Sequence, residues 1–117
     1  MAFVDPDPAA SAFVRAWDIT SEQFEDVFAQ ENRRQVGSSL DWDAMSHGDV
    51  VVGTSWYRRI VRLDLAFANL EQPALTFTWQ EPVPLNPPHE SYRSTIATGL
   101  AENPALTEEQ IEDYLAR

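Results

Sequence analysis

Residues 54–65 read TSWYRRIVRLDL, and residues 74–80 read ALTFTWQ. The first stretch alternates along a strand: Tyr57, Val61, Leu63 and Leu65 fall on one face with Arg59, and Trp56, Arg58, Ile60, Arg62 and Asp64 on the other. The second alternates Leu75, Phe77 and Trp79 with Thr76 and Thr78. Two runs rich in β-branched and aromatic residues put a sheet at the centre of the chain. Just upstream, Asp49–Val52 reads as a short strand ending at Gly53. Residues 33–48 are polar and poorly patterned, with loop-like Gly37-Ser38-Ser39 and Ser46-His47-Gly48.

Before that loop the period changes from strand to helix. Thr20 is an N-cap, Gln23 three residues later completes a capping box, and Ile19 and Phe24 occupy hydrophobic-staple positions. The predicted helix runs from about Ser21 to Asn32, with Phe24, Val27 and Phe28 as its apolar stripe. Further upstream, Ala2–Val4 and Ser11–Asp18 read as strands of a hairpin around the turn Asp5-Pro6-Asp7-Pro8. Downstream, the proline-rich stretch Glu81–Pro88 is an extended loop. A helix over His89–Ala101 carries Tyr92, Ile96 and Leu100. A last helix repeats the first one's grammar, with Thr107 as cap, Gln110 closing the box, Leu106 and Ile111 as staple, and Tyr114 and Leu115 on its packing face.

The expected fold is a single α+β domain over residues 1–117. Its small, mixed but mostly antiparallel sheet curves toward a partial barrel, with about three helices. At 117 residues and 44% hydrophobic content the chain has enough apolar surface for a core. It has no cysteine, which removes disulfides, thiolate metal sites and cysteine nucleophiles together and fits a reducing compartment. All eight positive charges are arginine, so neither a Schiff-base lysine nor a phosphate-loop lysine is present. The net charge of -11 repels phosphate and argues against nucleic acid as a partner. No apolar run approaches the roughly 20 residues of a membrane span, and the N-terminus lacks the pattern of a signal peptide. The expected location is the cytoplasm.

One carboxylate stands out as a candidate for chemistry. Phe24, Val27, Phe28 and Glu31 are spaced i, i+3, i+4 and i+7, which puts Glu31 on the apolar stripe of the first helix. It also lies in the last turn, where the helix dipole disfavours negative charge. Desolvation and dipole together would favour the neutral acid and suit it to take and return a proton. The competing reading is a carboxylate that rotates into solvent or pairs with Arg33, Arg34 or a strand arginine. Other constellations are weaker. His47 and His89, with Asp49 or Glu90, lack a helical His-x-x-x-His spacing, which counts against a zinc hydrolase such as a deacetylase. Asp41-Trp42-Asp43 has two carboxylates at strand spacing but not the rest of a calcium loop. No serine sits in a Gly-x-Ser-x-Gly elbow. The Arg58, Arg59 and Arg62 cluster is read either as a hold for an anion or as an offset to the acidic surface.

Taken in order, the strand over Ala12–Ile19, TSEQFEDVFAQEN with its terminal Glu, the strand RRIVRLDL after Tyr57, ALTFTW, PPHESYRSTIATGLAE and the closing IEDYL resemble the gamma-glutamylcyclotransferase-like family, closest to an actinobacterial branch of it. The resemblance covers nearly all of the chain but only the later portion of the family's domain. It implies a small mixed β-barrel flanked by helices and no cofactor. It also implies an intramolecular reaction, in which the free α-amine of a γ-glutamyl compound attacks its own γ-amide carbonyl and yields 5-oxoproline and a released amine. By resemblance the catalytic acid/base is Glu31, with Tyr57 as a substrate-binding residue; the bland alternative for Tyr57 is an amphipathic core tyrosine. The family's opening strand and Tyr-Gly-Ser-type loop, which hold the glutamyl group and stabilise its oxyanion, have no counterpart before Glu31. The expectation is therefore a fragment or a degenerate relative, with little activity as this chain. The rival expectation is a non-catalytic binding module on the same scaffold, whose open sheet edge recruits a partner strand or a second copy.

Overall fold

The β-rich centre forms three antiparallel strands, β1 (Val50–Val51), β2 (Arg59–Leu63) and β3 (Ala74–Thr78), in the order β1-β2-β3. The computed structural model describes residues 4, 5, 7, 9, 11–63, 74–81, 84 and 86–116. Ile60 pairs with Val50 on one side and Phe77 on the other, while Val61 pairs with Thr76. Paired residues share a face, so Val50, Ile60, Leu75 and Phe77 line one side of the sheet and Val61, Thr76 and Thr78 the other. Both faces are covered: Ile60 is 2% exposed, and Val61 and Thr78 are 1% exposed. The Thr78 hydroxyl donates to the carbonyl of Val4 at 2.7 Å, which brings that residue against the second face.

Four helices accompany the sheet among the described residues: α1 (Ser21–Glu31), α2 (Trp42–Ser46), α3 (Glu90–Ala101) and α4 (Glu108–Leu115). The capping boxes predicted at Thr20 and Thr107 both form, with cap and N3 glutamine bonding reciprocally. The α+β class is as the sequence predicts, with one helix more than expected. That helix, α2, lies in the polar, poorly patterned segment 33–48. Asp41 caps it by accepting from the Ala44 N–H at 3.0 Å, so the two carboxylates of Asp41-Trp42-Asp43 stand at a helix start rather than along a strand.

The first compact unit is Met1–Pro82. Its core packs α1 and α2 on the Ile60 face of the sheet. Phe28, Met45 and Ile60 are buried there, and Phe24, Leu40, Trp42, Val50, Leu75 and Phe77 close around them. Phe77 meets Phe24, Phe28 and Tyr57 edge-on at 5.6–5.9 Å, a geometry that adds to plain burial. The second unit, Val83–Arg117, is the α3–α4 pair. Ile111 is its one buried hydrophobic among the described residues.

Three further expectations need correction. The strand read from Thr54 begins only at Arg59, because residues 53–57 form the loop of the β1–β2 hairpin. Gly53 turns there at φ 77°, and the Val52 N–H closes on the Arg58 carbonyl at 2.8 Å. The stretch 11–18, read as a strand, is exposed and takes part in no ladder among the described residues; strand-like composition favours an extended chain, but a ladder needs an adjacent edge. The buried face of α1 is rotated from the predicted stripe. Val27 is 44% exposed, and Phe28, Ala29 and the following Asn32 are buried instead. Ala2 and Ala10, much of the Asp5–Pro8 turn and the strand end at Asp64 and Leu65 lie outside the described residues.

Candidate functional site at the end of the first helix

The chain leaves α1 through a tight C-terminal turn. Asn32 is the C-cap, and Arg33 comes next with φ 55°. The Arg34 N–H bonds the Ala29 carbonyl at 2.7 Å and the Arg33 N–H bonds the Gln30 carbonyl at 3.2 Å. Those two bonds define a Schellman turn, in which a glycine is the usual residue at the left-handed position. Here an arginine occupies it.

Asn32, 4% exposed, ties this turn to the loop before β2. Its Nδ2 donates to the Phe28 carbonyl at 3.0 Å and to the Tyr57 carbonyl at 3.1 Å, and its Oδ1 accepts from the Tyr57 N–H at 3.0 Å. The side-chain amide thus stands in for a neighbouring strand and binds both backbone groups of Tyr57. Beside it, Arg34 lies over the Phe28 ring at 5.8 Å, and its guanidinium comes within 3.8 Å of the space a Cβ would occupy at Gly53. Two acids of α1 hold the outgoing loop: Asp26 accepts from the Gly37 N–H at 3.2 Å and Glu25 accepts from the Leu40 N–H.

Glu31 is exposed. The spacing argument placed it on the buried stripe, and this is corrected by the rotation of α1. The helix turns Phe24, Phe28, Ala29 and Asn32 toward the sheet, so positions 27 and 31 fall on the flank. The burial on which the acid/base expectation rested is therefore absent at this residue. Tyr57 is half-buried, with its ring against Phe77. The fold does bring the two candidates near each other, since Glu31 adjoins Asn32 and Asn32 holds the backbone of Tyr57.

The residue that sequence reasoning missed is Asn32. A clue was legible: a short amide at a helix end, with two arginines and no glycine after it. Its partner, 25 residues away, was not.

The remaining candidates are engaged locally. Arg59 pairs with Asp49 at 2.9 Å, Arg58 with Glu81 at 3.2 Å, and Arg62 donates to the Met45 carbonyl at 3.3 Å. Each strand arginine is thus tied to an acceptor within the chain. The His47 Nδ1 donates to the Asp43 carbonyl at 2.8 Å, and the His89 Nδ1 accepts from the Ser91 N–H at 3.3 Å. Among the described residues no group of three or more His, Asp or Glu side chains is placed to hold a metal ion. None of the described helices is long and apolar enough to cross a membrane.

Among known proteins, the chain is similar to Histone deacetylase 5 of Arabidopsis thaliana, with 31% identity over 115 residues. The match takes in 83% of this chain but spans only 17% of that protein's length. No family model matches the chain. No solved structure matches it.

Proposed function

We propose that the chain is a gamma-glutamylcyclotransferase-like scaffold that serves as a non-catalytic binding module. The observation that carries this reading is the exposure of the Glu31 carboxyl. An acid that must move protons for a γ-glutamyl amide needs a dry pocket with donors converging on the carbonyl oxygen. The buried polar residue at this helix end is Asn32, and its contacts hold the backbone rather than face a ligand. Recurrence of a similar stretch as 17% of a longer protein fits a module joined to different chains; deacetylation is not carried over to this one. The acidic, cysteine-free composition suits the cytoplasm, with neither nucleic acid nor membrane as partner. Homo-oligomerisation through the sheet edge is compatible with the module.

The second reading is catalytic. Glu31 would act as acid/base in cyclising a small γ-glutamyl compound to 5-oxoproline, without a cofactor, and Tyr57 would bind the substrate. It is favoured by one observation, the Asn32 clamp that sets Tyr57 beside the end of α1. The two readings separate in an assay of 5-oxoproline released from γ-glutamyl amines. The binding-module reading expects no release above the blank from either the native chain or Glu31→Gln. Turnover by the native chain that Glu31→Gln abolishes would establish the enzyme instead.

A further inference from the structure

We draw no further inference here: the strongest candidate, the exposed segment 13–19 that leads into α1 with Phe13, Val14, Trp17 and Ile19 at its surface, carries nothing because nothing in the structure shows what covers it.

Discussion

At position 32 one side-chain amide joins the end of α1 to the loop before β2, and it does so with three hydrogen bonds from a nearly inaccessible site. Removing it leaves the Tyr57 N–H and carbonyl without that partner in a half-buried place, and each such group costs more unmade than it contributes when made. Asn32→Ala is expected to lose about 2–4 kcal/mol of unfolding free energy, read from urea titration; a loss under about 1 kcal/mol would show that water replaces the clamp. The neighbouring residue has the opposite effect. Arg33 holds a left-handed backbone that a side chain with a Cβ adopts at a cost. Arg33→Gly is therefore expected to raise stability by about 1 kcal/mol, seen as a higher urea midpoint at unchanged slope. Glu31, one residue before the clamp, carries no comparable burden.

At the scale of elements, α1 depends on both its ends. The Thr20–Gln23 box satisfies donors at its start, and the Schellman turn satisfies carbonyls at its finish. Thr20→Ala should cost about 1 kcal/mol, measurable by thermal unfolding, with Thr20→Ser retaining most of it. The capping signals in this helix and in α4 were readable because they depend on residues within a few positions of each other. The face of α1 was not. Phe24 and Phe28 alone define a line along the helix, and Val27 with Glu31 on one side competes with Ala29 and Asn32 on the other. The choice fell to the residues that fit against Phe77 and Ile60, a contact between segments far apart in sequence. The start of β2 was misread for a similar reason: TSWY alternates like a strand, yet Tyr57 gives its backbone bonds to Asn32.

For the whole molecule, burial is unequally shared. The sheet unit holds Phe28, Met45, Ile60 and Val61 at 4% exposure or less, whereas the α3–α4 unit holds Ile111 at 8% and α3 has no buried residue. Local opening is governed by buried apolar contact. Backbone amides of α3 are thus expected to exchange hydrogen at least about tenfold faster than those of β2. Mass spectrometry after pulsed exchange checks this; equal protection would mean that the two units open together.

The sequence by itself determined the α+β class, both surest strands in outline, three of the four helices among the described residues and the capping boxes of two of them. All of these rest on period, turn chemistry and bonds between near neighbours. Only the tertiary structure decided which side of α1 is dry, where β2 begins, that residues 42–46 coil into a helix, and that Glu31 faces water while Asn32 is enclosed. Those outcomes depend on which distant surfaces meet, and burial is a property of the assembled pair rather than of either segment.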